Sequence, residues 1–144
     1  MKLIITVIAF TALILGGGAW LLSKGSNPGT PESEIIARSG IHWHPRLHIY
    51  VNGQKQPLKD GIGLRPIEQP IHTHKEDWQQ GIIHLEISGL VTKDKTRLAN
   101  FFKIWGKEFK GETGQVAMTV NGQSNSDLFN YPMKDGDQIE LKFF

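Results

Sequence analysis

All six histidines of the chain lie within residues 42–84, in a spacing that suits metal ligands on β-strands. They form two His-x-His pairs and two single residues: His42, His44, His48, His72, His74 and His84. In an extended strand, side chains two residues apart point to the same face of the sheet. Each pair can therefore direct two imidazoles at one point, and neutral imidazole is a good ligand for divalent transition metals.

We predict that five of these histidines converge on one metal ion or on two neighbouring ions: His42, His44, His72, His74 and His84. The chain has no cysteine and only three methionines, so it lacks the sulfur ligands of a Cu(I) site, and Cu(II) or Zn(II) is the expected metal. His48 lies roughly 13 Å further along the predicted strand and is expected to stand outside the coordination sphere.

Acidic residues accompany the histidines. Glu86 follows His84 by two residues on the same predicted face, where it could orient an imidazole, ligate the metal or act as a general base. Glu76 and Asp77 fall in a polar turn at 75–81, and both are expected to be solvated.

The segments that carry the histidines alternate with period two. Residues 42–52 read as one strand that places Leu47, Ile49 and Val51 opposite the histidines, and 82–88 alternate in the same way. The segment 71–74 is a third extended stretch. We therefore expect a sheet with one aliphatic face and one face of imidazole and carboxylate.

One helix is predicted over 96–105, where Leu98, Phe101, Phe102 and Trp105 form an apolar stripe and Gly106 supplies a stop. Further strand candidates follow at 115–120 and 138–144. The order of strands, helix and strands predicts an α+β fold, namely a mixed β-sheet with one covering helix, β-grasp-like.

The first 22 residues read as an N-terminal transmembrane anchor or signal peptide. Residues 3–22 carry no charge and would span about 30 Å as a helix. The absence of a clean A-x-A site favours a retained anchor. Residues 23–39 then form a flexible linker, and 40–144 a His-rich metal-binding domain. Lys2 favours a single-pass protein of the cell membrane with its C-terminal domain on the extracytoplasmic side, or a secreted one if the leader is cleaved.

Composition excludes several classes of function. Without Lys2 and Lys24 the chain carries 14 basic and 14 acidic residues, so it has no basic footprint for nucleic acid. The absence of cysteine rules out disulfides and thiolate chemistry. No H-E-x-x-H, G-x-S-x-G or phosphate-binding glycine loop occurs. The stretch 72–89 resembles the first metal motif of cupins, but it lacks their glutamate, and no histidine follows His84.

Two other resemblances bear on the domain. HWHPRLHIYVNG (42–53), PIHTH (70–74), GIIHLE (81–86) and FFKIWG (101–106) resemble a group of small exported or membrane-anchored prokaryotic proteins without an established activity. MKDGDQIEL (133–141) is similar to the closing turn and strand of ubiquitin-like sulfur carriers, which implies a β-grasp fold. Those carriers end in Gly-Gly, whereas this chain ends Lys142-Phe143-Phe144, so their activity is not implied.

Three functions remain open from the sequence. The first is a tethered, non-catalytic domain that captures Cu(II) or Zn(II) or transfers it to a metal-exchange partner or a membrane protein. The second is a small His-ligated zinc or copper enzyme with Glu86 as base. The third is a β-grasp interaction module whose histidines line a partner surface without metal. An open coordination position beside a pocket would favour the enzyme.

Overall fold

The structure is a computed structural model that describes residues 29–144. Its compact C-terminal unit runs from Glu34 to Phe144. The predicted anchor or signal peptide over 1–22 lies outside the described residues, as do residues 23–28 of the predicted linker. Within 29–144, no helix is long and apolar enough to cross a membrane.

The unit is α+β, as the sequence predicts, and contains ten strands and two helices. The strands are β1 (Ile35–Ala37), β2 (Ile41–Trp43), β3 (Arg46–Val51), β4 (Gln54–Gln56), β5 (Ile71–His72), β6 (His84–Ile87), β7 (Val91–Thr92), β8 (Val116–Val120), β9 (Gln123–Ser124) and β10 (Gln138–Phe143). The helices are α1 (Lys93–Thr96) and α2 (Leu98–Trp105). Short 3-10 turns occur at Glu32–Glu34, Trp78–Gln80 and Leu128–Asn130.

A five-stranded mixed sheet in the order β4-β3-β10-β8-β9 forms the larger part of the core. Its central strand β10 runs parallel to β3 and antiparallel to β8. Along β10, the side chains of Ile139, Leu141 and Phe143 are buried between more exposed neighbours, which is the alternation of a sheet with one covered face. The β3–β4 hairpin turns at Asn52-Gly53, where both residues adopt positive φ.

Helix α2 packs on this core through Leu98 and Phe101, which are fully buried. It ends at Gly106, whose left-handed backbone donates a hydrogen bond to the carbonyl of Phe102, as the sequence predicts. The prediction of a single helix is incomplete, because α1 precedes it. Arg97 separates the two helices with an extended ψ of 138°, and its guanidinium pairs with Asp94 at 2.7 Å.

A separate three-stranded antiparallel sheet, in the order β2-β6-β5, carries the histidine segments. It joins the start of β3 through two backbone hydrogen bonds, from Leu47 N–H to the Gly81 carbonyl and from Ile83 N–H to the Pro45 carbonyl, at 2.8 and 2.9 Å. The predicted single strand over 42–52 is therefore split. Pro45 stands at the break, since proline has no N–H to donate to a ladder.

The domain begins earlier than the sequence suggested. Strand β1 lies inside the stretch 23–39 that the sequence assigns to a linker, and it pairs antiparallel with β7. Ile35 faces Thr92 in this small ladder. The compact unit consequently starts at Glu34 rather than near Gly40.

Candidate metal centre

Strand register in the β2-β6-β5 sheet brings the histidine segments together. His42 on β2 stands opposite Glu86 on β6, and His72 on β5 stands opposite His84 on β6. His44 lies just beyond the end of β2 and two residues after His42. His74 lies just beyond the end of β5 and two residues after His72. The aliphatic residues Ile83 and Leu85 point to the opposite face and are fully buried. The imidazoles thus share one face of the three-stranded sheet.

Five imidazoles and one carboxylate form two overlapping groups. The inner group is His72, His74, His84 and Glu86, and the outer group is His42, His44 and His84. Within each group the potential ligand atoms all lie within 4.8 Å of one another. His84 belongs to both groups, so it is the centre of the cluster.

The inner group has the spacing of ligands around one ion. The Nε2 atoms of His72 and His74 are 3.1 Å apart, and Glu86 Oε1 is 3.9 Å from His72 Nε2. Two nitrogens at ~2.0–2.1 Å from a tetrahedral zinc are separated by about 3.3 Å. The side chain of His72 is only 1% exposed and that of Glu86 is 39% exposed, so this group extends from the interior to the surface.

The orientation of His72 is fixed by the backbone. Its Nδ1–H donates to the carbonyl of Gln69 at 2.8 Å, which leaves the lone pair on Nε2. That nitrogen is the one directed at His74 and Glu86. A hydrogen bond of this kind sets the tautomer and the ring orientation of a ligating histidine before the metal arrives.

His84 is oriented by a carboxylate. Its Nε2 lies 2.8 Å from Asp77 Oδ2, so Nε2–H is the donor and Nδ1 keeps the lone pair. Nδ1 is buried and has no hydrogen-bond partner among residues 29–144. An unpaired buried nitrogen costs free energy, and a metal ion bound at Nδ1 would remove that cost. The donor set therefore fits a carboxylate–histidine–metal arrangement.

Electrostatics keep His84 in the form that binds metal. Burial lowers the pKa of its imidazole below the ordinary value of 6.5, and this outweighs the hydrogen bond and charge of Asp77, which raise it. The neighbouring His74 and His44 lower the pKa further. Because a ligating imidazole must be neutral, this environment favours coordination over protonation.

The outer group is open to solvent. The side chains of His42 and His44 are 62% and 44% exposed. His42 Nε2 lies 3.2 Å from Glu86 Oε1, so the same carboxylate stands beside both groups. The backbone N–H of His44 donates to Asp135 Oδ1 at 2.8 Å, which holds this loop in place. An ion arriving from solvent would meet these two imidazoles before the buried ones.

His48 stands apart from both groups in the described chain. It lies on β3 in the five-stranded sheet, beyond the break at Pro45, and its Nε2 is 3.4 Å from the carbonyl of Gln80.

The sequence expectation for Asp77 is wrong, because this residue contacts His84 instead of being solvated. Gln69, whose backbone carbonyl orients His72, was also missed from the sequence, because a pattern of side chains cannot identify a backbone group.

An open cavity of about 740 Å³ adjoins the cluster. His42 and Glu86 form part of its wall, together with Glu68, Gln69 and Pro70. Two carboxylates, those of Glu68 and Glu86, therefore line the cavity together with His42. The cavity offers a cation a negatively charged approach to the site.

We expect Asp77→Asn to weaken metal binding by roughly 10–100-fold, because an amide cannot fix the His84 tautomer as a carboxylate does. The set of ligands would be unchanged, so the number of ions bound at saturation should stay the same. Competitive titration against a chromophoric chelator measures both quantities. Asp60→Asn, an exposed carboxylate in neither group, is the matched control. Equal affinity of the Asp77 and Asp60 variants would show that Asp77 has no role at the site.

Comparison with known proteins finds no relative. No family model matches the chain, and no curated protein and no solved structure is significantly similar to it.

Proposed function

We propose that this protein is a metal-binding domain that captures or transfers a divalent transition metal, Cu(II) or Zn(II), through its clustered histidines. The proposal rests mainly on the environment of His84. Its Nδ1 is buried and unpartnered within the described chain, its Nε2 is held by Asp77, and it is shared by both groups of ligands. Imidazole and carboxylate without sulfur is a donor set suited to these two ions.

The overlap of the two groups suggests how an ion would move. The exposed pair His42 and His44 would capture it together with His84, and His72, His74 and Glu86 would then replace the outer pair. His84 remains a ligand in both arrangements, so the ion is never released to water. The reverse sequence would present it to an acceptor at the surface.

We also propose a β-grasp-like fold for the five-stranded sheet and a membrane tether for the domain. The β-grasp proposal rests on the order of the elements, which is the β3–β4 hairpin, helix α2, the β8–β9 hairpin and the final strand β10. Strand β10 lies between β3 and β8 in the sheet. The tether proposal rests on the uncharged run 3–22, which would anchor the chain in the cell membrane with the histidines on the extracytoplasmic side. The proposed acceptor is a metal-exchange partner or a membrane protein.

Metal affinity should fall as the pH drops through about 6.5, since protons compete for imidazole nitrogens. The lowered pKa of His84 means that this residue resists protonation to a lower pH than an ordinary histidine. Titrations of the metal-free protein with Zn(II) at pH 7.5 and 5.5 test the expected fall in affinity. Equal affinity at the two pH values would mean that histidines are not the ligands.

The cavity beside Glu86 and His42 favours one alternative, a small His-ligated metalloenzyme with Glu86 as base. Glu86→Gln separates the two functions. If Glu86 is a ligand, this variant loses metal affinity. If Glu86 is a general base, the zinc-loaded variant keeps its metal but loses hydrolysis of a small ester probe.

A further inference from the structure

A second cavity, of about 650 Å³, lies beside helix α2. It shares Gln69, Pro70 and Ile87 with the cavity beside the candidate metal centre, but none of the histidines lines it. Its volume falls within the range of roughly 300–1,000 Å³ that is typical of small-molecule sites. The metal-binding proposal leaves this cavity without a role.

The wall of the cavity combines apolar surface with positive charge. Its apolar part comes from Ile71, Ile87 and Ile104, and its charged part from Arg65, Lys95 and Lys103. No carboxylate belongs to the lining. Within residues 29–144, none of the three basic side chains forms an ion pair. Three unpaired cations around one concave apolar surface attract an anion.

The polar groups at the rim retain donors for a ligand. Lys95 Nζ donates to the carbonyl of Leu90 at 2.6 Å, which fixes the ammonium and leaves two of its three hydrogens. The Arg65 guanidinium offers a planar pair of N–H groups that matches a carboxylate. The Asn100 amide, in contrast, donates both of its hydrogens to the carbonyls of Asp94 and Lys95, so it has no donor left for an anion.

We propose that this cavity binds a small organic anion, with its carboxylate on the basic rim and an aliphatic body against the isoleucines. Neither half of the lining alone would select such a ligand. The basic rim would bind any anion weakly, and the isoleucines would bind any apolar molecule. Together they favour a molecule that carries both features.

Hexanoate is a suitable probe, titrated into the full-length protein without added metal and followed by backbone amide NMR shifts. We expect saturable shifts at Gly63, Ile71 and Ile104. Hexan-1-ol and inorganic phosphate should each give clearly weaker binding, because each has only one of the two features. Binding of phosphate or hexan-1-ol as strong as that of hexanoate would overturn the proposal, as would shifts that never saturate or lie elsewhere.

Lys103→Glu should weaken hexanoate binding about fivefold, since it removes one attraction at an exposed site and adds a repulsion. Lys110→Glu is the control, because this exposed lysine is not part of the lining. Arg65→Gln offers an independent second variant in a loop and should weaken binding in the same direction. Unchanged affinity in both cavity variants would overturn the assignment. Metal binding should be unaffected in each, so failure here leaves the metal-binding proposal standing.

Discussion

His84→Ala should reduce metal affinity by about 100-fold or more, a larger loss than any other single histidine substitution causes. Loss of an orienting residue alone costs roughly 10–100-fold, and removal of a direct ligand should exceed that. Among the described residues, His84 is also the one that belongs to both groups, so its substitution removes a ligand from each of them. Competitive titration with Zn(II) and Cu(II) measures the loss.

His48→Ala is the matched control, because His48 lies in neither group. The metal affinity of the His48→Ala variant should equal that of the parent protein. His84→Ala also leaves Asp77 without its imidazole partner, so circular dichroism should accompany the titration. A folded His84→Ala variant with unchanged affinity would contradict the shared-ligand arrangement.

The double variant His72→Ala/His74→Ala should lose metal binding by about 1,000-fold or more, since it removes two ligands whose Nε2 atoms are 3.1 Å apart. The companion double variant His42→Ala/His44→Ala should retain affinity to within about tenfold. It should load more slowly, because it lacks the exposed pair that meets the ion first. Equilibrium titration and stopped-flow loading measure the two effects.

Burial of His72 makes the inner double variant sensitive to packing, so His74→Ala alone serves as a milder test. It should lose affinity in the same direction while keeping the fold. If the inner and outer double variants lost affinity equally, the division into a deep and a shallow group would be wrong. If the outer variant loaded as fast as the parent, His42 and His44 would have no role in capture.

The period-two spacing predicted which side chains share a face of the sheet, because alternation along a strand depends only on neighbouring residues. His84 and Glu86 point away from Ile83 and Leu85, as alternation along a strand requires. The end of helix α2 at Gly106 was equally predictable, since the left-handed stop depends on a single residue type. The α+β class follows from the order of such local elements.

Contacts between the histidines and residues of other segments could not be predicted from the sequence. Asp77 binds His84 because a short turn at Trp78–Gln80 directs its carboxylate back to β6, and nothing in the spacing of the two residues marks that contact. The Gln69 carbonyl is a backbone group, so side-chain patterns cannot identify it. The split between β2 and β3, in contrast, had a visible signal in Pro45. That break separates His48 from the pair His42 and His44.

Metal binding is tested most directly by the metal content of the full-length protein, produced without a histidine tag and exposed to Cu(II) and Zn(II) in turn. We expect near-stoichiometric binding of at least one of the two ions, lost in His84→Ala and kept in His48→Ala. The identity of the tighter ion would then distinguish copper handling from zinc chemistry. A protein that stays metal-free in the presence of micromolar Cu(II) and Zn(II) would contradict the proposed metal-binding function and favour a metal-free interaction surface.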